Sequence, residues 1–183
     1  MGNSGSNSGI SYPKAVTELA ETKGIPIEVA YVVYSRFSGI SDKKDKISKA
    51  TFQNYFPFVS QNAFDNMLTY LNVTSFDVSL ANFSDLYLCI SPAMSNTKMI
   101  ELLYGVFVTE NGFCYDAFID ELQANMITKT QNEIEILRTE FEEGIENPNG
   151  CVTHENYLKK LETIKIPIID LAKNLIFSSF IFQ

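Results

Sequence analysis

The sequence predicts an all-α fold of four helix-loop-helix units, and three observations carry that expectation. The first is an internal repeat. Ile47, Val78, Phe113 and Val152 recur at intervals of 31, 35 and 39 residues, each followed five residues on by an aromatic: Phe52, Phe83, Phe118 or Tyr157. Four residues beyond these stand Phe56, Tyr87, Leu122 and Leu161, and seven residues before the anchors stand Ile40, Leu71, Val106 and Ile145, so every column is apolar. The second is helical periodicity ahead of each anchor, as in Ile100, Leu103, Tyr104 and Phe107, the three-and-four spacing of one helix face. The third is punctuation at Gly24-Ile25-Pro26, Phe56-Pro57 and Ser91-Pro92, where proline pushes the preceding residue out of helix.

Taken in order, residues 1–10 are small and polar and predict a flexible leader. Gly2 and Ser6 match the Met-Gly-x-x-x-Ser acceptor pattern for N-myristoylation, which needs an unhindered glycine amine in extended peptide. One acyl chain gives only reversible attachment, so a membrane-bound partner would have to add to it. Residues 11–95 carry the first pair of units, with helices expected over Ile27 to Phe37 and Ala63 to Leu71. Residues 96–163 carry the second pair, with helices expected over Thr97 to Val106 and Asn132 to Glu143. Residues 164–183 form an apolar tail, too short and too charged at Asp170 and Lys173 to span a bilayer, and expected to cover the core or to lie in a groove between the units.

Hydrophobic residues make up 45% of the 183 and charged residues 20%, which places the chain among ordinary globular proteins able to bury a core unaided. The net charge of -8 argues against nucleic acid, whose phosphates require clustered Lys and Arg. Lys43, Lys44, Lys46 and Lys49 read as a solvated loop. Three scattered cysteines, Cys89, Cys114 and Cys151, suit neither a disulfide framework nor, with the single His154, a zinc site, and point to a reducing compartment. With no hydrophobic signal expected ahead of them, the sequons at Asn72 and Asn82 are read as accidental.

No phosphate-cradling glycine loop, nucleophile elbow or metal-binding histidine pair is found, so the chain is not expected to be an enzyme. Cys151 and His154 stand three residues apart, a spacing read as incidental rather than catalytic. The acidic run Glu140, Glu142, Glu143 and Glu146 reads as a solvated helix face.

A helix, a loop with an apolar residue near its end, an aromatic five residues later and a period near 35 together resemble the EF-hand superfamily. Within it the pattern is similar to the calcineurin B and neuronal calcium sensor group, and to the EF-hand-like region of myristoylated TLDc-domain proteins. The resemblance implies two lobes, with short β-bridges pairing Ile47 with Val78 and Phe113 with Val152. Gly150 keeps the mid-loop glycine of the fourth unit, and Lys43, Lys44 and Lys46 stand among the ligand positions of the first. The departures are decisive for calcium. The first loop positions, Ile40, Leu71, Val106 and Ile145, and the twelfth, Thr51, Asn82, Ala117 and Asn156, contain no carboxylate. High-affinity calcium binding is therefore not expected, and no metal ligand or other cofactor is assigned.

These readings lead to a non-catalytic adaptor or regulatory subunit, cytoplasmic and membrane-associated if Gly2 is acylated. Its partner would be another protein, bound through a helix in a hydrophobic groove. The groove candidates are Phe37, Phe56, Met67, Met94, Leu102, Leu103 and Phe107. A structural component of a large cytoskeletal or membrane complex is the alternative, and an active calcium sensor is a third reading that requires a different loop register.

Overall fold

Two prolines set the start of the chain's helical course. In the computed structural model, which describes residues 11–56, 58, 60–75, 77–90, 96–127, 130–146 and 148–181, apart from the side chains of residues 90 and 177–181, Pro13 and Pro26 occupy the caps of α1 (Lys14–Lys23) and α2 (Ile27–Ile40). Their fixed φ, -54° and -55°, suits a helix start that needs no N–H. Gly24 closes α1 at φ 62°, the left-handed turn that glycine adopts without strain. Gly2 and Met94 lie outside the described residues.

Four helix-loop-strand-helix segments follow. The first runs through α2, β1 (Lys46–Ser48) and α3 (Lys49–Gln53), and the second through α4 (Gln61–Tyr70), β2 (Asp77–Ser79) and α5 (Leu80–Ile90). The third comprises α6 (Asn96–Phe107), β3 (Val108–Thr109), β4 (Gly112–Cys114) and α7 (Tyr115–Ala124). The fourth comprises α8 (Gln131–Glu142), β5 (Cys151–Val152) and α9 (His154–Thr163), after which α10 (Ile168–Ile181) ends the described chain. Thr130 and Glu133 form a reciprocal capping box at the start of α8, which satisfies two backbone N–H groups that the first turn leaves open. Among the described residues, helix dominates and the strands are very short, in keeping with an all-α class.

The strands join the segments in pairs. β1 runs antiparallel to β2 with Ile47 opposite Val78, and β4 antiparallel to β5 with Phe113 opposite Val152, the two couples that the resemblance implied. Their side chains are buried because alternate strand residues face opposite sides, and the inward side here meets the helices. β3 adds a hairpin to β4, with Val108 opposite Phe113 and Thr109 opposite Gly112. Its two-residue loop is Glu110-Asn111, and the Asn111-Gly112 dipeptide at the loop's end is a turn signal in the sequence.

The two expected halves share a single apolar core. α6 stands at its centre, packed on α4, α5, α7 and α10. Gly105 of α6 admits the ring of Tyr70 from α4 so closely that a Cβ at that position would meet its carbons. Polar groups tie the halves as well. Asn66 on α4 donates its side-chain amide to the carbonyls of Val106 and Val108 at 3.0 and 3.2 Å, satisfying acceptors that the end of α6 leaves open. Glu121 on α7 is buried and accepts the Ser60 N–H at 2.6 Å, fixing the turn into α4.

Candidate functional site

Sequence spacing puts Thr51, Asn82, Ala117 and Asn156 at the twelfth loop positions, and in the structure all four occupy the third residue of the exiting helix. In three of the four segments the preceding cap hydroxyl accepts that residue's own N–H. Ser48 Oγ accepts from Thr51 at 3.1 Å, Ser79 Oγ from Asn82 at 3.2 Å and Thr153 Oγ1 from Asn156 at 3.3 Å. These are helix N-caps, which satisfy donors at a helix start and contribute about 1 kcal/mol each. The sequence announces them as Ser-x-x-Thr, Ser-x-x-Asn and Thr-x-x-Asn, a signal the ligand count passed over.

Each loop is then closed by the protein's own groups. In the second, Asn82 Nδ2 donates to the Leu71 carbonyl at 2.7 Å, joining the twelfth position to the first. Its Oδ1 accepts the N–H of Ser79 at 3.1 Å, so the same side chain secures both ends of the turn. In the fourth loop the buried phenol of Tyr115 accepts the Gly150 N–H at 3.1 Å and donates to Glu142 at 3.2 Å. Burial pushes the Tyr115 pKa up to about 12, so the phenol keeps the proton it donates. Lys160 of α9 places its ammonium on the carbonyls of Glu140, at 2.8 Å, and Glu143, where α8 ends. A cation there is favoured by the negative end of the helix dipole.

The third loop is the β3–β4 hairpin, short enough that Val106 belongs to α6 and Ala117 to α7. Gly112 takes φ 104°, which glycine adopts without a Cβ penalty, and any Cβ there would also collide with the Val152 carbonyl of the neighbouring strand. The first loop turns through two non-glycine residues with positive φ, Asp42 at 53° and Lys43 at 62°, and Lys43 N donates to Ser38 O at 2.9 Å. Beside it opens a surface cavity of about 540 Å³ whose lining mixes Asp42, Asp45 and Asp77 with Lys44 and Lys46.

A calcium ion wants six to eight oxygens with carboxylates among them. These loops do not fit that need. Their first positions are aliphatic, their twelfth positions are engaged in helix capping or, at Ala117, carry no side-chain oxygen, and among the described residues no group of three or more His, Cys, Asp or Glu is arranged to hold a metal.

Six of the groove candidates lie among the described residues. Phe37, Phe56, Met67, Leu102, Leu103 and Phe107 are all buried. The reason is that α6, which carries three of them, is enclosed by α4, α5, α7 and α10. Large apolar side chains read alike in a core and in a groove, and here they are core. α10 itself buries Ile168, Ala172, Leu175 and Ile176, packing on α6 and α7, so the described part of the apolar tail expected at 164–183 covers the core.

Phe113 is the hub of an aromatic cluster, with its ring centroid 4.5 Å from Tyr157 and 5.8 Å from Phe141. The His154 ring stands edge-on to Tyr104 at 4.6 Å, while the Cys151 thiol lies 3.8 Å from Thr109 Oγ1. Lys43, Lys44 and Lys46 are exposed, whereas Lys49 pairs with Asp65 at 2.7 Å and draws that carboxyl below its usual range. No helix among the described residues is long and apolar enough to cross a membrane. Compared with known proteins, the chain matches no family model and no curated protein.

Proposed function

We propose that this chain is a calcium-independent, non-catalytic adaptor built on four degenerate EF-hand-like units. The observation that carries the reading is the loop closure by Asn82, whose amide bonds the Leu71 carbonyl where a calcium ligand would otherwise stand. It is supported by the antiparallel pairing of β1 with β2 and of β4 with β5, which couples the segments two by two as EF-hands are coupled. A scaffold held by its own caps keeps one shape whether or not calcium rises, and so suits constitutive binding better than sensing.

On this reading the partner presents an amphipathic helix that takes the place of α10 against α6 and α7, since that apolar face is already shaped for a helix. Acylation at Gly2 would hold the complex reversibly at a membrane surface. The test is affinity capture with the full chain, run in parallel with calcium and with a chelator, followed by identification of what co-purifies. Recovery of the same partner in equal amount under both conditions is the expected result. Capture that requires calcium would overturn the proposal.

A further inference from the structure

Of the three cysteines, two face each other. Cys114 lies directly opposite Cys151 in the β4–β5 ladder, one step from the inward Phe113–Val152 couple and therefore on the outward side of the two strands. Residues directly opposed in an antiparallel pair have Cα atoms about 4.5–5.5 Å apart and side chains on the same side. A disulfide requires a Cα separation of about 4.4–6.8 Å, so the backbone is already spaced for one. Both thiols are partly exposed, and desolvation first, then the neighbouring Cys151 side chain, raise the pKa of the Cys114 thiol. The third cysteine is different in kind. Cys89 is buried on α5, donates to Asp85 O at 3.2 Å, and has its thiol pushed up to about 12 by desolvation.

We infer that Cys114 and Cys151 are a paired oxidation site, converted by a low-molecular-weight disulfide such as oxidised glutathione into a cross-strand disulfide that staples the third segment to the fourth. The thiolate of one cysteine attacks a sulfur of the oxidant, breaking its S–S bond and releasing one small thiolate, which takes up a proton. The second cysteine then loses its proton and attacks the resulting mixed disulfide, forming the protein S–S bond and releasing the second small thiol. Two protein thiols are oxidised and one small disulfide is reduced to two thiols. In a reducing compartment the dithiol is the resting form, and the cross-link forms only under oxidative load. The seam it closes contains Gly112 and Phe113, so the staple fixes the contact between paired loops without reaching the core.

The test is peptide mapping of the folded full chain after incubation in glutathione buffers of increasing oxidised fraction, with free thiols then blocked by alkylation. The expected product is an intrachain Cys114–Cys151 linked peptide, reversed by reductant, absent from Cys114→Ser and Cys151→Ser and retained in Cys89→Ala. The wild-type map decides the matter even if a variant fails to fold. Glutathione left singly on either cysteine, a link to Cys89, a link between two chains, or unchanged free thiols at high oxidised fraction would each overturn the inference.

Discussion

Asn82 and Leu71, eleven residues apart, are joined by a 2.7 Å hydrogen bond from the asparagine amide to the leucine carbonyl. The bond runs from the start of one helix to the end of the one before it, so it fixes the angle between α4 and α5. Asn82→Ala removes this bond together with the reciprocal bond to Ser79 N. Losing one cap and one hydrogen bond is expected to cost about 2 kcal/mol, measured as a lower urea midpoint at unchanged m-value. Asn82→Asp keeps the acceptor but turns a donor into a negative oxygen facing a carbonyl, and should recover little of that loss.

Gly112 and Gly24 both have positive φ, yet they should respond differently to alanine. At Gly24 a Cβ meets nothing within 4 Å, and only the left-handed backbone resists, for about 1–2 kcal/mol. At Gly112 the same methyl collides with the Val152 backbone, which cannot swing aside as a side chain would. Gly112→Ala is therefore expected to cost more than about 3 kcal/mol and to separate β4 from β5. Amide hydrogen exchange at Phe113 and Val152 would report the separation, and equal losses from the two variants would refute the argument.

Much of this arrangement was legible in the sequence, and the limits of that legibility are physical. The spacing from Ile47 to Phe52, and its three copies, reflects a strand turning directly into a helix, so the repeat located the buried aromatics, while the pairing of Ile47 with Val78 and of Phe113 with Val152 was implied by the resemblance alone. The entering helices begin and end within three residues of expectation because their breaks are written as Gly, Pro and Ser. Which apolar residues lie under another helix was not legible, because burial depends on what packs over a residue. Leu102 and Leu103 would look the same on either side of an interface, and it is α10, some sixty residues later, that covers α6. Nor was the tie between halves visible. Nothing in the spacing of Asn66 says that its amide caps α6, and ligand counting could not foresee that Asn82 would donate rather than stand idle.

Asn66 gives a direct measure of how the two halves are coupled. Asn66→Ala removes both bonds to the end of α6 and should lower stability by about 1–2 kcal/mol. Asn66→Asp, with acceptor oxygens against two carbonyls, should lower it further. Chemical denaturation of both variants checks the order, and an aspartate variant as stable as wild type would contradict it.

Alkaline pH should unfold the chain through the phenols of buried Tyr115 and Tyr157 and half-buried Tyr70. Desolvation pushes Tyr70 and Tyr115 up to about 12 and raises Tyr157 as well, against an ordinary value of 10.0. Below about pH 10 these groups are neutral in both states and contribute no pH dependence. Above it the unfolded chain releases protons that the folded chain keeps, so stability falls as pH rises through the interval from about 10 to about 12. Urea midpoints measured across that interval should drop, with phenolate absorbance from these tyrosines appearing together with unfolding. Tyr157→Phe keeps the ring but loses the 2.9 Å bond to Ile100 O, and should lower stability at neutral pH while reducing the alkaline slope.

The most direct test of loops closed by protein groups is a calorimetric titration of the full chain with calcium chloride, starting from chelator-treated protein. The account predicts only the heat of dilution through millimolar free calcium. A saturable isotherm with a dissociation constant on the order of 10⁻⁶ M, the range of calcium sensors, would contradict it.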